Sequence, residues 1–159
     1  MVVIGLDPGS IDFGVGILKS ESGRIEYLHS RCIKLRDRVF ETRMKYLWEQ
    51  MTTVFSSYPI DDAAIEEGFL GKNVRSMNVL SKVRGVVLGF LIQQEVSLTS
   101  YSPRSIKQFV TNNGNAPKAQ VNRMMKILLS KRDAELSLDE SDALAVAYCH
   151  LLHKNDRRR

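Results

Sequence analysis

Cysteine is scarce in this chain, and its two copies, Cys32 and Cys149, stand far apart with no second Cys or zinc-finger-spaced His beside either. That argues against a disulfide framework or a thiolate metal centre and for two buried free thiols. No apolar run reaches membrane-spanning length, and the N-terminus lacks the basic and apolar regions of an export signal. The expectation is a cytoplasmic protein without membrane contact. Repeats, low-complexity tracts and linkers are absent as well. With 159 residues, 43% hydrophobic and 26% charged, the chain reads as one soluble domain over 1–153 and a basic tail at 154–159.

Acidic residues are missing from two windows. Residues 103–132 hold Arg104, Lys107, Lys118, Arg123, Lys126, Lys131 and Arg132 with no Asp or Glu, and residues 68–94 hold Lys72, Arg75, Lys82 and Arg84 with none. The first 102 residues are otherwise neutral, so the net charge of +5 resides entirely in residues 103–159. Blocks of this kind suit a polyanion, whose counterions are released as phosphates are neutralised. They also suit merely solvated helix faces, and charge alone does not choose between the two.

Element order follows from periodicity. "VVIGL", "FGVGILK" and "GRIEYLHSRCIKL" read as three successive antiparallel strands, separated by Asp-Pro-Gly and Ser-Gly turns. Apolar residues at helical spacing from Arg38 to Tyr58 predict a helix stopped by Pro59, "DDAAIEE" a buried strand, and residues 73–95 a long helix. Gly85 and Gly89 in that helix would let another element approach closely. "VSLTSY" predicts a fifth strand, followed by a short helix with Ser102 as N-cap and Pro103 at its first position. A basic helix from Lys118 to Leu129 and a closing helix capped by Ser137 complete an α/β layout with a mixed sheet flanked by helices.

Acids punctuate this plan. Asp7 ends the first strand and Glu66 the fourth, where burying a carboxylate is costly unless it is paired or metal-bound. If those strands are neighbours, both acids reach one rim of the sheet. In "LDESDALA", Asp139 and Asp142 share a helix face, about 5–6 Å apart at Cβ, while Glu140 points elsewhere and alternation turns Glu67 away from Glu66. Taken singly, Asp7 suits a turn and Asp139 a helix cap. Four acids converging would repel one another unless a cation sat between them. All-oxygen ligation favours Mg²⁺ or Mn²⁺, and two such ions about 3.5–4 Å apart suit phosphodiester hydrolysis beside a basic surface.

The stretches "GLDPGSIDFGVG", "AIEEGFLGKN", "NVRSMNVLSKVRG", "SPRSIKQFVTNNGNAPKAQV" and "LDESDALAVAYCH" occur in the order and spacing of the RuvC family of Holliday-junction resolvases. The resemblance runs from residue 2 to about residue 153. It implies a ribonuclease-H-like fold, a homodimer, and paired Mg²⁺-dependent nicks in opposed strands of a four-way DNA junction during recombination and repair. A branch-migration helicase complex is implied as a further partner. Asp7, Glu66, Asp139 and Asp142 match the family's catalytic, metal-holding acids. Phe69 matches an aromatic that contacts junction bases, and Lys107 and Lys118 match lysines near the scissile phosphate. Lys72, Arg75, Arg104 and Arg123 extend the expected DNA surface. Two departures stand out: Phe13-Gly14-Val15-Gly16 replaces the usual Thr-Gly-Tyr-Gly, and Glu67 adds an acid beside Glu66. The alternatives are a non-catalytic junction binder, which would have lost the acids, and another ribonuclease-H-like nuclease. The ATP-binding superfamily of actin and sugar kinases shares the Asp-x-Gly opening but needs two related domains.

Overall fold

The computed structural model describes residues 1–67, 74–131, 133 and 135–156, the side chains of 155 and 156 excepted. Its elements are β1 (Val2–Asp7), β2 (Asp12–Glu21), β3 (Arg24–Lys34), α1 (Phe40–Ser57), β4 (Asp62–Glu66), α2 (Val74–Gln93), β5 (Leu98–Tyr101), α3 (Pro103–Thr111), α4 (Lys118–Leu128) and α5 (Leu138–Asp156). This is the expected order. Helix α5 continues three residues into the segment expected to be tail, and Lys154 forms an ion pair with Asp62 at 2.7 Å.

The strands form one mixed sheet in the order β3-β2-β1-β4-β5. β1, β2 and β3 are antiparallel neighbours, whereas β4 runs parallel to β1 and β5 parallel to β4. The β2–β3 hairpin closes through Ser22 and Gly23, both at positive φ, as a two-residue hairpin turn requires.

Strand alternation sorts side chains between two cores. Ile4, Leu6, Phe13, Val15, Ile17, Ala63 and Ile65 face α1 and α2, where Phe90 packs edge-on against Trp48 and Phe55. Val3, Leu18 and Ala64 face the opposite layer of α3, α4 and α5. Phe13 and Val15 are fully buried in the first core, on the side of the sheet away from the acids.

Helix α5 lies directly on the sheet, with α3 and α4 over it, which explains why nearly every residue from Ser141 to Leu151 is buried. Glycine makes that approach feasible. A Cβ on Gly16 would stand 2.6 Å from the Leu144 nitrogen, and one on Gly14 would stand 2.2 Å from the Asp139 carbonyl oxygen. Any side chain at Gly14 would push the N-terminus of α5, with its two acids, off the sheet.

Gly85 and Gly89 behave differently. Nothing stands within 4 Å of a Cβ added to either, and Leu88 and Ile92 on the same helix face are 46% and 66% exposed. Among the described residues, that face of α2 receives no packing from its own chain.

Candidate active site

Strand parity delivers the acids to one place. Residues 3, 5 and 7 of β1 and 62, 64 and 66 of β4 point to the α5 side, so Asp7 and Glu66 emerge together at the ends of parallel neighbours, one step beyond the Leu6–Ile65 pair. The first turn of α5 supplies Asp139, and the start of its second turn supplies Asp142, opposite them.

That first turn is set by a reciprocal cap. The Glu140 backbone N–H donates to Ser137 Oγ at 3.2 Å, and the Ser137 N–H donates to Glu140 Oε2 at 3.0 Å. Glu140 also accepts from Ser30 Oγ on β3, tying the helix start to the sheet. Capping thus falls to Ser137 and Glu140, which leaves Asp139 and Asp142 to face the cluster. Glu67 is exposed beyond the end of β4.

The electrostatics of Asp7 and Glu66 follow from this placement. Burial first, then the neighbouring Asp142, raises the Asp7 carboxyl from 3.8 to about 6, with Asp139 adding to the rise and Lys118 opposing it. Burial, then Asp7 and Asp142, raises Glu66 from 4.5 to about 7, opposed by Lys118 and Lys107. Asp7 and Glu66 are held protonated well above their ordinary range because desolvation and like charge both penalise the anion. Among the described residues, no three acidic, His or Cys side chains stand at spacing suited to a metal ion. The cation in contact with the cluster is the Lys118 ammonium, 2.5 Å from Asp142 Oδ2.

The basic residues divide. Lys107, on α3, and Lys118, at the start of α4, line a cavity of about 190 Å³ together with Glu66, Asp142, Pro103, Ile106 and Val121. Arg104 is exposed one turn before Lys107 on the same side of α3. Arg123 is exposed on α4, but five residues from Lys118 it points about 140° away around the helix. Arg75 is exposed in the first turn of α2. Phe69 and Lys72 lie outside the described residues.

Three contacts, two of them at the site, were not expected. Arg84 donates to the Glu66 carbonyl oxygen and, at 3.4 Å, to Ser100 Oγ, so this member of a basic window anchors the end of β4. The Cys32 thiol donates to Asp139 Oδ2 at 3.5 Å, reaching from the α5 side of β3. Asp62, farther along α5 from the cluster, forms an ion pair with Lys154 at 2.7 Å and stands 3.1 Å from His150 Nε2. Even-number parity in β4 could have pointed Asp62 toward α5, but nothing local marks its partners.

A mixed sheet whose central parallel strands end in carboxylates, with a helix bringing two more and lysines alongside, has the architecture of a ribonuclease-H-like nuclease. The family model of crossover junction endodeoxyribonuclease RuvC matches residues 3–150. The chain belongs to that family. It is 35% identical over 150 residues to the crossover junction endodeoxyribonuclease RuvC of Christiangramia forsetii, covering 94% of this chain and 78% of the relative. With the Hahella chejuensis protein of the same name it shares 37% over 149 residues, covering 94% and 86%. The fold matches that of T. thermophilus RuvC in complex with Holliday junction substrate at a TM-score of 0.90 and 24% identity, covering 99% of this chain and 96% of that one. No helix among the described residues is long and apolar enough to cross a membrane.

Proposed function

We propose that this chain resolves four-way DNA junctions by paired, Mg²⁺-dependent phosphodiester hydrolysis in opposed strands. The observation that carries the reading is the convergence of Asp7, Glu66, Asp139 and Asp142 beside Lys107 and Lys118. The chemistry of the donor set suits a hard divalent cation, since four carboxylates offer oxygen ligands, although among the described residues no three of them stand at metal-binding spacing here, so the acids would have to draw together around an ion. Asp7 and Glu66 are raised by burial first and by neighbouring acids second, and a cation would relieve both costs. Bound there, Mg²⁺ or Mn²⁺, in a pair of ions for each site, would favour attack by water and stabilise the leaving oxygen of an in-line displacement.

The chain's own residues do the rest. Asp7 and Glu66, rooted in the sheet, and Asp139 and Asp142, fixed by the capped start of α5, hold the ions. Lys107 and Lys118 orient the phosphate in the cavity between them, and Pro103, Ile106 and Val121 give that cavity an apolar wall. Arg75, Arg104 and Arg123 add affinity for the DNA backbone that is independent of sequence. The uncovered face of α2, with Gly85, Leu88, Gly89 and Ile92, is suited to an identical helix in a twofold dimer. Two sites related by that axis would address the two opposed strands of a junction.

The test is incubation with an end-labelled four-way junction, and with a linear duplex of the same sequence, in Mg²⁺ or EDTA. Symmetric nicks in opposed junction strands, dependent on Mg²⁺, are expected. Equal cutting of the duplex, or nicking indifferent to EDTA, would refute the reading.

A further inference from the structure

The acidic cluster contains a cation of its own. Lys118 is the first residue of α4, and its ammonium stands 2.5 Å from Asp142 Oδ2. The two partners are unequally placed: the Asp142 side chain is 11% exposed, whereas that of Lys118 is 56% exposed and can swing outward without disturbing the core. The same ammonium bears electrostatically on Asp7, Glu66 and Asp139, so it serves the whole cluster. Lys118, Asp142, Glu66 and Lys107 all line the same cavity.

A divalent cation ligated by Asp142 would compete with that ammonium for the same carboxylate, and two cations in contact repel strongly at short range. We propose that Lys118 is the resident counter-ion of the acidic cluster, displaced from Asp142 when a divalent cation enters and released to a DNA phosphate beside Lys107. This rests on the metal-dependent reading above. It makes metal and phosphate binding mutually reinforcing, because a phosphate that draws Lys118 outward vacates the carboxylate for the ion, and the coupling is reciprocal.

The experiment measures Mn²⁺ affinity by electron paramagnetic resonance of the free ion, without DNA, for the wild type, Lys118→Gln and Lys126→Gln. Lys126 lies eight residues further along the chain in α4, so its variant controls for a general loss of charge. Lys118→Gln should bind Mn²⁺ about three- to five-fold more tightly than either of the others, the scale of a half-exposed ion pair. Unchanged or weaker affinity overturns the proposal, because a lysine that merely positions Asp142 would leave the site less able to hold the ion. A second measurement needs no substitution. The ¹⁵N ammonium signal of Lys118 in the wild type should lose its hydrogen-bonded character as Mg²⁺ is added, and a signal unchanged at saturating Mg²⁺ overturns the proposal. Failure of the underlying reading looks different: the wild type would show no saturable Mn²⁺ binding and its nicking would ignore EDTA.

Discussion

Replacing Asp7 with Asn keeps the shape of the side chain and removes its charge. A carboxyl raised on folding is stabilising when protonated, so its contribution is present below the unfolded value of 3.8 and is lost as pH rises through about 6. At about 1.4 kcal/mol for each pH unit between those values, holding Asp7 ionised at pH 8 costs the metal-free folded state about 3 kcal/mol. Asn avoids that cost but must bury an amide, at about 1 kcal/mol. The expected net gain for Asp7→Asn is therefore about 2 kcal/mol at pH 8, or roughly 4–8 °C in Tm, shrinking toward zero as pH approaches 4. Urea unfolding in EDTA at pH 4.5, 6 and 8 measures this directly. Junction binding should persist while nicking is lost, since recognition comes from the basic surface and the acids hold the ions. A variant less stable than the wild type at pH 8, or a gain unchanged between pH 4.5 and 8, would refute the electrostatic reasoning. Undiminished nicking would return Asp7 to the role of a turn former, which Asn performs equally well.

Other substitutions test the supports of the site. Gly14→Ala places a Cβ 2.2 Å from the Asp139 carbonyl oxygen and should lower stability by about 1–3 kcal/mol while depressing nicking more than junction binding; wild-type nicking would mean α5 can shift freely. Glu140→Ala breaks the reciprocal cap at the start of α5 and should cost about 1 kcal/mol in urea unfolding, with no loss expected if water replaces the bond to Ser137. Asp62→Ala removes the carboxylate that pairs with Lys154 and faces His150, at a cost of about 2–4 kcal/mol, and a near-neutral result would show that the trio is dispensable. Lys107→Gln should reduce the slope of log affinity against log salt for junction DNA by about one, and an unchanged slope would remove it from the phosphate contacts.

What local pattern determines is visible in the sequence because it depends on near neighbours. Alternation marks β1 to β5, helical spacing marks α1 to α5, and Ser102 with Pro103 and Ser137 with Glu140 mark helix starts, each through bonds spanning a few residues. The acids at strand ends and three apart on a helix were legible for the same reason. Strand order was not. Whether Asp7 meets Glu66 depends on β4 inserting beside β1 across 59 residues of chain, a choice made by the packing of two helical layers on opposite faces of the sheet. Tertiary structure alone also took Arg84 from the basic window to anchor Glu66, turned Lys118 onto Asp142 and Arg123 away from it, and paired Asp62 with His150 and Lys154. Long side chains reach any of several partners from one backbone position, so their partners are settled only when the elements around them are docked.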